Sequence, residues 1–477
     1  MMKRLQSFLP RLWANWITLL GTSITTLSGV ALLLVLALAF AGGDGNPYIG
    51  AILLLSLPAV FLAGLLLIPL GLWVDRRRQR REATLDGGTK RRLAFVGIAS
   101  LVNVMLFGMG AQQAVHYMES PKFCGTSCHT VMQPEWENYQ DSKHSHVACV
   151  QCHVGPGAKW AFKAKINGLH QVWGVLAGNH HRPVPSPVEQ LRPSRDTCEQ
   201  CHWPAKFTGN KPRIYPHYKD DKDNTPIWNA MLLHVGGRNR QTGKYEGIHW
   251  HASPSTQVKY EVLDDKRLKV GKIQVFDDGK LVAEYGAPEK EKSTPVRSVR
   301  AMDCIDCHNR PTHAFELSPT FAADRALYAG GLDSKTPWMA KVSVELLKSK
   351  DVPRDGAEAY FRKAIEEKYA KEHPEVKPAT EVFDRAAKSL ADLWTHNNYP
   401  AMKITWGTYK AHAGHRGEGD EVLGCFRCHD LDHEKTLPDG SKQSLGQDCE
   451  TCHEPLAQDE DPAKFDDSLK AMVGKRD

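Results

Sequence analysis

The chain of 477 residues has no cysteine outside six short clusters, no glycine-rich phosphate loop, no dinucleotide fingerprint and no nucleophile motif. The first absence leaves no thiol for a disulfide framework apart from those clusters. The others assign any catalysis to bound cofactors and to proton-handling side chains beside them. A dispersed basic surface is missing too. The net charge is +6, but much of it sits near the N-terminus, where Lys3, Arg4 and Arg11 precede a first apolar run and "DRRRQRRE" follows a second. Charge placed there sets membrane topology and speaks against nucleic acid as a partner.

What the sequence does have is apolar length. The runs Trp13 to Phe40, Tyr48 to Val74 and Leu93 to Val115 each reach the roughly 20 residues that cross a bilayer as a helix, which predicts three transmembrane helices. A cleaved signal peptide is the rival for the first run, whose apolar core is much longer than the ~7 to 15 residues of such a segment. The loop Asp75 to Arg92 carries eight Lys and Arg, whereas "AGGDGNP" carries none. The basic loop is therefore expected in the cytoplasm, and everything after about His116 on the opposite, periplasmic side of a bacterial inner membrane. Pro58 and Pro69 predict a kink in the second span. Three helices exceed what an anchor requires, so other membrane subunits are plausible packing partners.

The twelve cysteines fall in "CGTSCH" (Cys124, Cys128, His129), "CVQCH" (Cys149, Cys152, His153), "CEQCH" (Cys198, Cys201, His202), "CIDCH" (Cys304, Cys307, His308), "CFRCH" (Cys425, Cys428, His429) and "CETCH" (Cys449, Cys452, His453). Five are the C-x-x-C-H signature of c-type haem attachment. Two thiols must reach two vinyl groups of one porphyrin, and the adjacent histidine must swing beneath the ring to ligate iron. Paired zinc ligands share the cysteine spacing but do not require a histidine after every second cysteine. A disulfide framework would not require the histidine either. In the first cluster the longer spacer leaves His129 in register with Cys128, so it reads as a sixth haem site.

Sixteen of the 22 histidines remain for the distal side of the irons, and bis-histidine ligation suits low-potential electron transfer. Local candidates are His144 and His146 in "DSKHSHVAC", His313 in "CHNRPTH", His433 in "CHDLDH", and His412 and His415 in "HAGHRG". His180, His181, His217, His234, His249 and His251 are further possibilities. For each, a solvated or hydrogen-bonded histidine is the competing reading. His373, in a charged helical stretch, reads as surface.

The fold class expected is mainly α: three transmembrane helices plus a multihaem cytochrome c ectodomain with little regular secondary structure and a small antiparallel β insertion. Residues 1–116 form the membrane domain, 117–203 a three-haem module, 204–303 the insertion, 304–424 the fourth haem with a helical segment, and 425–477 a two-haem module with a charged tail. In the insertion "QVKYEVLDD", "KVGKIQVF" and "KLVAEYG" alternate polar and apolar residues, and "DDGK" is a hairpin signal. "DGAEAYFRKAIEEKYAKEH" and "TEVFDRAAKSLADLW" read as helices. "WAFKAKINGLHQVWGVLAG" has an apolar face at helical spacing, either a core helix or one lying at the membrane interface.

From Leu93 to His202, about a quarter of the chain, "ESPKFC", "CHTVM", "HSHVACVQCHVGPG", "KWAFKAKI" and "VWGVLAG" resemble the NapC/NirT family of membrane-anchored multihaem cytochromes. The full layout is similar to the family's inner-membrane branch from metal-respiring bacteria. The resemblance implies oxidation of menaquinol from the membrane pool near the first haem, with electrons leaving through the last to a periplasmic cytochrome or reductase. It also implies Met132 as an axial ligand of the first haem and Lys165, next to Lys163, as a lining residue of the quinol pocket. Relatives place an acid in the following turn. Here the residues are His170 and Gln171, and His170, with an unperturbed pKa of about 6.5, takes the role of proton acceptor. Two alternatives are an electron-wire subunit whose quinone site lies in a partner, and a terminal reductase with one open iron. The second would need a haem without a distal ligand, and no C-x-x-C-K variant is present.

Overall fold

Glycine, threonine and serine sit where the first two helices meet. The computed structural model describes residues 16–40, 47–79, 105, 108–110, 112–127, 129–155, 157–188, 192–415 and 422–474, and all that follows concerns these. Helix α1 (Trp16–Phe40) packs along α2 (Pro47–Gln79). A Cβ on Gly64 would meet the Thr25 nitrogen at 2.8 Å, and one on Gly71 the Thr18 nitrogen at 2.8 Å, so the backbones approach as only small residues permit. The Thr22, Thr25 and Ser28 hydroxyls donate to carbonyls three or four residues back in their own helix, leaving no polar atom of theirs to seek water. Trp16, Leu27, Val30, Leu34, Leu66 and Trp73 point outward and are exposed. This arrangement, small and polar inside with apolar outside, is that of helices solvated by lipid. The second helix runs through Pro58 and Pro69 and continues past Val74 into the basic residues.

The expectation of a mainly α chain with three transmembrane helices is not supported. One helix among the described residues is long and apolar enough to span a bilayer, Ser56–Val74, with a mean hydropathy of 2.3. The apolar run of α1 is shorter, Trp16–Leu32, and most of the third expected span lies outside the described residues. Helix takes up 46% and strand 16% of the chain, in several sheets rather than one small insertion. Alternation in the sequence revealed only part of this. The strands it missed carry prolines, a continuous apolar run or many charges.

Those strands are β1 (Lys211–Tyr218), β2 (Pro226–Leu233) and the distant β7 (His453–Glu460), in the order β1-β2-β7. β2 is central, and its one proline is its first residue; Pro212 and Pro216 lie on the edge strand β1, where a missing N–H is tolerated. The second sheet has the antiparallel order β5-β4-β3-β6, from β3 (Thr256–Val262), β4 (Val270–Asp277), β5 (Lys280–Tyr285) and β6 (Ser298–Ala301). The expected hairpin at "DDGK" is there: Asp278 and Gly279 take φ of 46° and 77°, the backbone of a tight two-residue turn. Alternate residues Val258, Tyr260 and Val262 face the core with Val270, Ile273 and Tyr285.

Helix α3 (His129–Gln140) follows the first cysteine cluster and α4 (Ala158–Leu176) the second. Four more helices, α5 (Pro319–Ala329), α6 (Met339–Leu347), α7 (Ala357–Glu372) and α8 (Thr380–Asn397), build the largest core. Ser318 caps α5, accepting from the Phe321 amide at 3.4 Å, and Gly330 ends it at φ 81°. α7 buries Ala357, Phe361, Ile365 and Tyr369, every fourth residue, against Phe383, Leu390 and Trp394 of α8. The chain divides into two units, one of Met1–Gln133, Ala148–Val150 and Gly157–His180, the other of Pro134–Val147, Gln151–Pro156 and His181–Asp477.

Candidate haem sites

A single helical turn explains the recurring cysteine–cysteine–histidine spacing. In motifs three to six the histidine amide donates to the carbonyl of the first cysteine: His202 to Cys198 at 2.7 Å, His308 to Cys304 at 2.8 Å, His429 to Cys425 at 2.9 Å, and His453 to Cys449. Residues four apart share a helix face, so the turn sets the first thiol and the imidazole on one side. Acids cap two of these turns. Asp303 accepts from the Ile305 amide at 3.1 Å and Asp448 from the Glu450 amide at 3.3 Å.

Each of five motif histidines faces one imidazole from elsewhere. The ring centroids lie 6.4 Å apart for His153 and His313, 6.0 Å for His202 and His144, and 6.4 Å for His308 and His249. The remaining pairs are His429 with His251 at 6.0 Å and His453 with His415 at 6.2 Å. An imidazole nitrogen binds a first-row metal at about 2 Å, so two imidazoles on opposite sides of one ion have centroids roughly 6 Å apart. Rings in van der Waals contact would be closer. All five gaps thus fit an iron and the porphyrin plane around it.

The tautomers fit as well. Nδ1 of His313 lies 2.9 Å from the Glu135 carbonyl, Nδ1 of His249 3.0 Å from that of Val235, and Nδ1 of His251 2.8 Å from that of Ile248. A proton held there by a carbonyl leaves Nε2 with its lone pair free, the form that ligates metal. Burial pushes His153, His251, His308, His313 and His249 below the ordinary imidazole range, which keeps them neutral at pH 7.

Three distal candidates from the sequence, His144, His313 and His415, therefore stand opposite a motif histidine, each serving a motif other than the one beside it in the chain. His249 and His251, named only among the further possibilities, complete the five. Both lie on one short turn, Ile248–Ala252, at the entry to β3, inside the insertion, which holds no haem motif of its own. The signal was available as two histidines one residue apart, "HWH". Its partners could not be read because they are distant in sequence. Among the described residues His433 is not presented to any motif histidine: Nδ1 lies 2.9 Å from Asp430 and Nε2 2.9 Å from the Gly271 carbonyl, so both nitrogens are engaged. His146 is exposed and makes no such pair among the described residues. Cys128 and the His129 side chain lie outside the described residues, so the pairing of His129 with Met132 does too. His373, expected at the surface, is half-buried and stacks on Trp338 at 4.9 Å.

Consecutive motifs are also neighbours through their cysteines. Cys124 is within hydrogen-bond reach of Cys149, and Cys198 of Cys304. Cys152 lies near enough to Cys198, Cys307 to Cys425, and Cys425 to Cys452 for their charges to interact. A cavity of about 410 Å³ opens beside motifs three and four, with Arg192, Arg195 and Arg300 in its wall together with Asp196 and Asp303.

Sites of this composition define a multihaem cytochrome of the c type. Residues 88–185 match the NapC/NirT cytochrome c family, N-terminal region. Over 462 residues the chain is 37% identical to the cytochrome c-type protein ImcH of Geobacter sulfurreducens, an alignment that spans 94% of this chain and 89% of the relative. No solved structure matches. The chain belongs to the NapC/NirT cytochrome c family: it is a membrane-anchored c-type cytochrome with covalently bound haem, and its work is electron transfer.

The two residues expected at a quinol site, Lys165 and His170, sit on α4, which touches the apolar helix α2. Lys165 is half-buried and His170 exposed. Five positions separate them, which is roughly 140° around a helix. His170 shares its face instead with Asn167 and Lys163, and the Lys163 ammonium lies 5.4 Å from the Trp160 ring. Ile166, Leu169, Trp173 and Leu176 are exposed on the same helix.

Proposed function

We propose that this chain carries six haems and oxidises a quinol of the menaquinol class, passing the electrons singly along the haems to a periplasmic cytochrome or reductase. The observation that carries the reading is the set of five imidazole pairs, joined in chain order by the neighbouring cysteines of successive motifs. The haems supply one-electron redox chemistry, and the chain supplies ligation, burial and order. In this reading the distal ligands are His313, His144, His249, His251 and His415 for motifs two to six, with Met132 for motif one. Full six-coordination favours electron transfer over a terminal reductase with an open iron. The eight basic residues after the second apolar run favour a haem-bearing region in the periplasm.

At the donor end Lys165 hydrogen-bonds a quinol oxygen, and His170, on another face of α4, takes up a proton after its release rather than touching the quinol beside Lys165. Oxidation of one quinol releases two electrons to the haems and two protons toward the periplasm. The test is reduction of the purified oxidised protein by a menaquinol analogue, followed at the α-band. Fast reduction is expected, and K165A with H170A should slow it by about 10²-fold, the lower range for a positioned proton acceptor. Protein reducible by dithionite but not by the quinol would assign the quinone site to a partner subunit. Mass spectrometry of the intact chain should show six haems.

A further inference from the structure

Four motifs carry a charged residue between their cysteines, and in two of them, Asp306 in "CIDCH" and Arg427 in "CFRCH", it is buried. Asp306 is 1% exposed and accepts from the Tyr260 hydroxyl at 2.6 Å, Arg267 at 3.4 Å, Arg300 at 3.3 Å and the Asp303 amide at 2.9 Å. Its backbone carbonyl accepts from Arg427 at 2.6 Å. The same guanidinium donates to the Arg267 carbonyl at 2.6 Å and to that of Gly424 at 2.8 Å. Gly424 has φ 59°, and a Cβ there would lie 1.8 Å from the Gly414 oxygen, so the motif-five turn admits only glycine at that point.

Arg427 thereby ties the motif-four turn to the motif-five turn. On the other side, His249 and His251 face His308 and His429 from a single short turn. Two guanidiniums, Arg267 and Arg300, share the one Asp306 carboxylate, the third, Arg427, meets only backbone carbonyls, and the nearest second acid, Asp303, accepts from the Ser194 and Ile305 amides. His412, enclosed beside Arg427, stays neutral because burial pushes it down to about 3. Positive charge is left over next to both sites. Oxidised haem carries one more positive charge than reduced haem, so buried cations disfavour the oxidised form, and low-dielectric surroundings strengthen the effect.

We propose that Arg427, Arg267 and Arg300, held by Asp306, are positioning residues that raise the reduction potentials of the motif-four and motif-five haems above those of their neighbours. Electrons would then settle on this pair before moving on. The inference rests on the reading that both motifs carry haem. The experiment is a redox titration of the membrane-purified holoprotein, followed at the α-band, for native protein, R427M, R300Q and D306N. R427M should lower the midpoint of one or two of the resolved components by about 59 mV, a tenfold change in a one-electron equilibrium. R300Q, at the rim, should lower it less, and D306N should raise it.

Opposite signs for the arginine and aspartate variants are the signature of charge, since a loosened turn would move both the same way. Shifts of one sign, or none, in variants that retain every haem by mass would overturn the proposal. If R427M does not fold, R300Q against D306N makes the same decision. A native protein without haem on motif four or five would instead overturn the reading beneath it, and peptide mass spectrometry separates that outcome from a failure of the charge argument.

Discussion

Two stretches lie between haem motifs without holding one, residues 204–303 and 319–397, and they serve opposite ends. The helical stretch supplies nearly all of the largest core, to which Tyr218 of β1 adds, and in it Phe361, Ile365, Leu390 and Trp394 are all but inaccessible. Its histidines meet no haem-motif histidine: His373 stacks on Trp338, and His396 lies 2.7 Å from the Asp392 carbonyl through Nδ1 and 2.6 Å from Asp141 through Nε2. The strand-rich stretch is not self-sufficient. Cys428 and Leu445, from outside it, complete the apolar side of its sheet, so part of its core is motif five itself. It repays that dependence with imidazoles, His249 and His251, and with the arginines around Asp306. A region that buries little apolar area alone needs the cofactor to fold, and a region with a full core does not.

The sharpest way to break this contrast is to remove one histidine from each. His251→Ala should leave the motif-five iron without its distal ligand, giving a component that binds carbon monoxide after reduction. His373→Ala should leave the haem spectrum and carbon monoxide reactivity unchanged. Carbon monoxide binding in both, or in neither, would erase the distinction between the two stretches. Next in size is a core truncation. Phe361→Ala, at a fully buried site, should destabilise the helical stretch by about 3–5 kcal/mol while six-coordinate spectra persist. Thermal unfolding followed by far-ultraviolet circular dichroism and by haem absorbance should then give two separated transitions. One shared transition would mean that the helical stretch is as haem-dependent as the sheet.

The motifs were legible because their chemistry is local: two thiols and an imidazole on one turn, repeated until coincidence fails. The helices of 319–397 were legible because Ala357, Phe361, Ile365 and Tyr369 recur at the helical period. The imidazoles that face the motif histidines were legible only as a pool. The two thiols and the proximal histidine occupy one side of a haem, and residues directly after them are poorly placed to reach the other side. His313 follows motif four yet faces His153 of motif two, and His415 precedes motif five yet faces His453 of motif six. Strand β7 escaped notice because it begins inside a motif and pairs with a segment more than two hundred residues earlier. Asp306 and Arg427 were hidden as the unremarked middle residues of their motifs.

The smallest effect lies where the two stretches touch. His217, on β1, lies 2.8 Å from Asp324 on α5, and the other oxygen of that carboxylate accepts from the Tyr218 amide at 3.0 Å. The hydrogen bond and charge of Asp324 raise the His217 pKa above its ordinary value. A raised folded-state pKa means the charged form is favoured by folding, so its contribution is fully present below about pH 6.5 and is lost as pH rises through the raised pKa. The imidazole is 43% exposed, so water screens the pair and the contribution is no more than about 1 kcal/mol. His217→Asn should lower the midpoint of the helical-stretch transition at pH 6 and leave it nearly unchanged at pH 9, measured against native protein at each pH. A difference that stays constant across this range would show that His217 joins the strand to the helix by packing and not by charge.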